Sequence, residues 1–366
     1  MIISNCELYE FEKNLRIPMP RTGIATRKGI YVRLITQDGR DAYGEISPLP
    51  GFSAESLPGA SEQAIWLAGE ITNMSVTGDI LKTDTLESED LFSSVSCGFE
   101  LAIWKLFRFG SKSETQPDAT STSFWLTPLQ RPLINICALL AGSAEEVSSQ
   151  ARSRIRQGYR TFKLKVGNSD PDRDIALIRQ VSGIIGSDSQ LRLDANRAWS
   201  IQDAMYVFEN TVDLDFEFVE EPLHEFSEYP TLVEAIPVPV ALDESIDDVL
   251  NNHLSAEPSL FEMLPWLRAL VLKPMIRGGF RKSMRIAKEA IRYGIEPVIS
   301  SSFESRTGFG GLVLLAGSAP GGGLASGLDT LHYFQSEAET EGSPIIDVGS
   351  VGNRSPKDSV YLNRIL

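Results

Sequence analysis

Seven short strand-like runs recur along the second two-thirds of the sequence: PLINICAL, TFKLKVG, LRLDAN, FEFVEEP, VPVALDES, ALVLKPM and EPVISSS. The polar residues that end six of them, Lys165, Asp194, Glu220, Asp243, Lys273 and Ser301, stand 29, 26, 23, 30 and 28 residues apart. Such an interval holds one strand, one helix and two loops. The intervening PDRDIALIRQVSG, SIQDAMYVFEN, FSEYPTLVEAI and FRKSMRIAKEAIRYG carry apolar residues compatible with amphipathic helices. Nearly continuous apolar strands alternating with helices predict a parallel sheet, either open and doubly wound or closed into a barrel. Polar residues at consecutive strand ends favour the barrel, because closure brings the carboxyl ends of all strands to one mouth. The phosphate-binding signatures of open sheets are missing. RTGFGGLV has Val313 where a third glycine is required, and SAPGGGLASG lacks a GK[ST] ending.

Upstream, to about residue 125, the chain reads as mixed strands and helices. RKGIYVRLIT alternates like a strand, GEISPLPGFSAES reads as a loop broken by prolines and glycine, and SVSCGFELAIWKLFRF has helical spacing. The polar, Ser- and Thr-rich segment 111–123 is the expected linker. A chain of 366 residues, 42% hydrophobic, can fill one large domain or two smaller ones. No apolar stretch approaches the roughly 18 residues that span a bilayer. The opening MIISNCELYEFEKNLRIPMP scatters charges where a signal peptide needs an apolar core, so a cytoplasmic protein is expected. A net charge of -15 without a basic cluster weighs against nucleic-acid and membrane partners. Cys6, Cys97 and Cys137 form no CxxC pair and are expected as buried thiols.

Asp194, Glu220 and Asp243, at successive strand ends, would direct oxygen ligands into one mouth, the ligand chemistry of a hard cation such as Mg2+. Each alone reads as a solvated loop acid; three in register with lysines on either side read as a metal site. Alternation places Glu220 and Asp243 inward and their neighbours Glu221 and Glu244 differently. It also puts Lys163 and Lys165 on one face, so that each ammonium disfavours the other and at least one is lowered toward the range of a base. Lys273 ends a strand roughly across the barrel from Lys165. Three carboxylates, one dication, charged Lys163 and Lys273 and a neutral Lys165 leave a net +1, suited to a carboxylate substrate and more so to the dianion formed by deprotonation beside it. Arg192 shares the inward face with Asp194; it either orients an anionic group or pairs with a ligand acid. No HxxxH pair or GxSxG elbow is present, so the serines of SSSFES read as substrate-contacting groups.

KLKVG, LRLDANRAW, FVEEP, ALDES, VLKP and ISSSFES, in that order and spacing, resemble the enolase superfamily, whose chemistry pairs a Lys or His base with Mg2+. GEISPLPGFS, SVSC, LRLDANRAW and GLDTL resemble, more narrowly, the o-succinylbenzoate synthases of menaquinone (vitamin K2) biosynthesis. The resemblance implies a modified TIM barrel, (β/α)7β, under an α+β capping domain. It divides the chain into a cap at 1–124, a barrel at 125–330 and a segment 331–366 that returns to the cap. Gly51, Phe52 and Ser53 would belong to a mobile loop that closes the mouth. The implied reaction is the syn elimination of water, by a lyase, from 2-succinyl-6-hydroxy-2,4-cyclohexadiene-1-carboxylate. Lys165 would serve as base and then acid and Lys273 as the cation stabilising the enediolate. Asp194, Glu220 and Asp243 would hold Mg2+, with Mn2+ as the alternative, and Ser300, Ser301 and Ser302 would line the pocket around the succinyl tail. The 111–123 insertion and Met275-Ile276-Arg277 after Lys273 depart from this pattern and bear on pocket shape. The rivals are N-acylamino acid racemisation, dipeptide epimerisation or muconate cycloisomerisation on the same scaffold, or a non-catalytic barrel. Against epimerisation, GLDTLHYF holds a single Asp329 where an Asp-x-Asp pair is expected to grip the substrate amine.

Overall fold

The computed structural model describes residues 1–20, 22–74, 90–109, 128–167, 170–247, 260–335, 345–347 and 363–364. The expected linker at 111–123 lies outside them. Three long N-terminal strands, β1 (Ile3–Asn14), β2 (Thr26–Thr36) and β3 (Asp41–Ile46), pair antiparallel. The first three residues of GEISPLPGFSAES thus belong to a strand, and the chain turns only where Pro48, Pro50 and Gly51 remove donors or demand unusual dihedrals.

Helices Leu57–Ile71 and Ser93–Phe109 pack against this sheet. The first is capped by Ser56, whose hydroxyl accepts from the Gly59 amide, and buries Ala60, Ala64, Leu67, Ala68 and Ile71 along one stripe. The second approaches so closely that a Cβ on Gly44 would stand 1.7 Å from the Gly98 carbonyl oxygen. Two short strands, β4 (Leu133–Asn135) and β12 (Ile345–Asp347), pair antiparallel with each other, and near the other end of the chain β13 (Asn363–Arg364) pairs antiparallel with β1.

Seven parallel strands follow in sheet order: β5 (Ala138–Leu140), β6 (Thr161–Lys165), β7 (Gln190–Asp194), β8 (Phe218–Glu220), β9 (Val240–Leu242), β10 (Leu267–Leu272) and β11 (Glu296–Ile299). Helices Ala144–Arg156, Pro171–Ile185, Ile201–Glu209, Tyr229–Ala235, Gly279–Ala290 and Arg306–Ser318 alternate with them or follow the last. Ser143, Asp170, Ser200 and Ser305 cap four of these, each side chain accepting from a first-turn amide.

The sheet closes through two residues. Ser326 bridges to Ile136 beside β5, and Gly327 bridges to Ser300 beyond β11. A side chain at 327 would meet Ser300 Oγ at 2.6 Å, so the two segments approach closely where the sheet closes. Inside the barrel, Phe218, Ala241, Ala269, Val271, Val298 and Leu324 form a small apolar cluster distinct from the main core. It fills the interior beneath the strand ends. No helix among the described residues is long and apolar enough to cross a membrane, and Cys6, Cys97 and Cys137 are free, buried thiols.

Candidate active site

Strand register assembles the site. Lys163 pairs with Arg192 and Arg192 with Phe218; two residues further, Lys165 pairs with Asp194 and Asp194 with Glu220. The inward residues therefore form two layers, the upper one at the strand ends. Phe162 and Leu164 are buried in the outer core while Lys163 and Lys165 face a cavity that Arg192, Glu220 and Lys273 also line. Lys273 follows β10, four strands from β6, on the opposite wall.

Lys163 Nζ lies 2.9 Å from Asp194 Oδ2 and 3.1 Å from both oxygens of Glu220. Lys165 Nζ reaches Asp194 Oδ2 at 2.5 Å and Asn196 Oδ1 at 2.7 Å. Lys273 is ion-paired with Asp243, whose other oxygen lies 3.6 Å from Arg277 Nη2. Burial and charge then separate the lysines. Burial lowers Lys165 below the ordinary lysine value; the Asp194 charge opposes this, and the Lys163 ammonium adds to it. For Lys163, burial is outweighed by Asp194 and Glu220, which hold it above that value; Asp243 and Glu220 do the same for Lys273.

The carboxylates divide likewise. Asp194 and Asp243 are held below the usual range by their lysines in spite of burial. Glu220 is pushed up to about 8 by burial and by Asp194, since its Lys163 is shared. As the side chains stand, no group of three acids, cysteines or histidines among the described residues converges to ligate an ion, and ammonium groups lie between the carboxylates. The donor set nevertheless fits a hard dication. It offers three buried oxygen donors at neighbouring strand ends, one of them short of positive charge, and a buried Glu244 Oε2 with no hydrogen-bond partner.

Glu221, facing away from the mouth, accepts from the amides of Asp243 and Ser245 and from the hydroxyls of Ser245 and Tyr229. It anchors the strand end that carries Asp243, with its own backbone at φ 44°. Glu244 accepts from Asn196 Nδ2 at 2.8 Å, so it braces the residue that holds Lys165.

The other expected residues differ in what they reach. Arg192 pairs with Glu217, not with a ligand acid, donates to the Ala325 carbonyl and stacks over Phe218. Its Nη2 is buried without a partner. Ser300 and Ser301 line the cavity and Ser302 does not. The Ser301 hydroxyl is saturated: it donates to Glu304 and accepts from Thr330 Oγ1 and the Phe303 amide. Gly51, Phe52 and Ser53 do not line the cavity either. They form a tight turn in which the Leu49 carbonyl accepts from the Phe52 and Ser53 amides and Ser53 Oγ accepts from Leu49 N.

Sequence reasoning missed Asn196, Phe303 and Thr330, and the placement of Arg277 beside Asp243. Asn196 was signalled by its position two residues past a strand-end acid. Asp329 lines the cavity but is engaged from behind by Arg154 at 3.0 Å, Tyr159 Oη at 3.2 Å and the Leu139 amide at 3.2 Å.

Residues 146–351 match the family described as enolase C-terminal domain-like, and residues 5–106 match the MenC N-terminal domain. The chain is 29% identical to the o-succinylbenzoate synthase of Pasteurella multocida over 88% of this chain and 89% of that protein. It is 28% identical to protein PHYLLO of Arabidopsis thaliana over 79% of this chain but spans only 18% of that much longer protein. A dipeptide epimerase of Enterococcus faecalis, solved with Mg and L-Leu-L-Tyr, superposes with a TM-score of 0.82 at 20% identity, covering 96% of this chain and 99% of the other.

Proposed function

The chain belongs to the enolase C-terminal domain-like family, and from that premise we propose that it is a lyase that removes water from 2-succinyl-6-hydroxy-2,4-cyclohexadiene-1-carboxylate to give o-succinylbenzoate. The carrying observation is the placement of Lys165 and Lys273 on opposite walls of one cavity, with Asp194, Glu220 and Asp243 at the strand ends between them. The similarity to o-succinylbenzoate synthases over most of both chains, and the matching MenC N-terminal domain, support this choice of reaction.

Lys165 is the base. Burial and Lys163 favour its neutral form, and Asp194 and Asn196 hold its nitrogen in place to take the proton beside the substrate carboxylate. The same ammonium then returns that proton to the departing hydroxyl, as a single group on one face must in a syn elimination. Lys273, kept charged by Asp243 and Glu220, stabilises the developing enediolate from the other wall. Asp194, Glu220 and Asp243 are the residues to hold Mg2+, or Mn2+, which supplies positive charge to the substrate carboxylate when bound.

Epimerisation of an amine-bearing dipeptide is disfavoured because Asp329, an acid of the cavity wall, already faces Arg154. We further propose the domain boundaries 1–124, 125–330 and 331–366; the pairing of Asn363–Arg364 with β1 supports the return of the last segment to the cap.

The test follows o-succinylbenzoate formation by absorbance with Mg2+ present, absent by chelation, and with Lys165→Ala. Turnover should fall by about 10^3-fold or more in the variant and be lost with chelator. Absence of turnover in the parent protein, or turnover indifferent to both controls, refutes the reading.

A further inference from the structure

Arg27, on β2 of the cap, is 2% exposed, and its guanidinium binds three backbone carbonyls. Nη2 donates to Ser47 O at 2.6 Å, Nη1 to Pro48 O at 3.0 Å and Nε to Phe303 O at 3.1 Å. The first two carbonyls begin the cap segment that leads into the 49–53 turn. The third belongs to the barrel loop after β11, whose Phe303 lines the cavity and packs edge-on against Tyr333 at 5.1 Å.

Phe303 has φ 61°, a left-handed conformation that a bulky side chain keeps only where its surroundings impose it. Neighbouring positions of this loop are fixed from other directions. Glu304 accepts from Ser301 Oγ and Ser302 N, and Glu45 of the cap accepts from the Ser305 amide and hydroxyl and the Gly308 amide. The Phe303 carbonyl itself is held by the cap's arginine. Only a planar fork of several donors spans carbonyls from two loops in this way.

We propose that Arg27 is a positioning residue that fixes Phe303 as a wall of the cavity and couples that wall to cap segment 47–53. Substrate fit then depends on the cap's hold on the Phe303 carbonyl through this side chain, alongside the Glu45 contacts that fix the next residues of the loop. The inference rests on the reading of the cavity as the substrate site.

The experiment uses the full chain with Arg27→Met and Arg27→Lys, each alone and combined with Phe303→Gly, a substitution that the left-handed φ accommodates. KM and kcat are measured with the cyclohexadiene carboxylate, and amide hydrogen exchange is mapped on the same samples. Arg27→Met should raise KM about tenfold or more with kcat changed less than about threefold. Exchange should quicken in 49–53 and 301–303 and stay unchanged in β6 to β9. Arg27→Lys should behave likewise. In the Phe303→Gly background the KM penalty should shrink to below about threefold, because both changes act on the same wall.

A KM penalty of equal size in both backgrounds overturns the route through Phe303. Uniformly faster exchange throughout the barrel overturns the positioning role in favour of general stabilisation. A parent protein without turnover refutes the proposed reaction and leaves the exchange pattern to decide the role of Arg27.

Discussion

Two lysines among the described residues are lowered by burial, and their neighbours make them different. Lys165 stands among carboxylates and two further ammonium groups in the cavity. Lys105, on the helix Ser93–Phe109, is enclosed between cap and barrel, with Nζ donating to the Thr307 carbonyl at 3.2 Å. Burial moves it from the ordinary 10.5 down to about 7, against the pull of Glu45. Below pH 7 it is charged in both folded and unfolded states, and the fold carries the whole cost of burying that charge. Between pH 7 and 10.5 the unfolded chain binds a proton that the fold does not, so stability rises with pH across that window. Lys105→Met should therefore be more stable than the parent at pH 6 to 7, by roughly 1–3 kcal/mol, with the gain shrinking toward pH 10.5. Urea midpoints across that range check it; a gain independent of pH would show that Lys105 does not titrate as described. At this scale the shared inward face of Lys163 and Lys165 was legible because a strand's period of two is written in adjacent residues. Nothing in the sequence marked Lys105, which is buried against a helix that begins at Arg306, where its contact at Thr307 lies 202 residues away.

Among elements, the close packing of β3 on the helix Ser93–Phe109 is the most demanding contact. Both partners place glycine there, but they do not tolerate change equally. A methyl on Gly44 would collide with the Gly98 carbonyl, a backbone atom, at 1.7 Å, whereas one on Gly98 would first meet the Ile46 side chain at 2.4 Å. Gly44→Ala should thus cost roughly 3 kcal/mol and Gly98→Ala distinctly less, as measured by chemical denaturation. Equal losses would mean that the helix shifts freely away from the sheet. The barrel elements were legible to within a residue or two: each quoted strand run overlaps a barrel strand, and the four quoted helical segments overlap Pro171–Ile185, Ile201–Glu209, Tyr229–Ala235 and Gly279–Ala290. The extent of β3 was not, because Gly44 reads as a breaker until the helix that requires it is in place.

At the scale of the molecule, closure of the barrel concentrates three acids and three lysines in one buried mouth, with Arg277 adding a cation beside Asp243 that the count of +1 did not include. Such a cluster should be stabilised by a divalent cation that relieves Glu220. At a Mg2+ concentration 1,000 times its dissociation constant the fold should gain about 4 kcal/mol, read as a higher melting temperature than in chelator. Asp243→Asn should lose most of that gain, and a melting temperature indifferent to Mg2+ in the parent would rule out the cation site.

By itself the sequence determined the β/α alternation, the inward face of each strand and the acids and lysines at the strand ends. These follow from periods of two and 3.6 residues, which are local properties of a chain. Only the tertiary structure decided the partners: Arg192 with Glu217, Asp329 with Arg154, Arg27 with Phe303, and Ser326 and Gly327 as the closing residues. Those pairs join residues up to 276 positions apart. Which cation meets which anion is fixed by loop paths and sheet register, and neither leaves a periodic trace in the sequence.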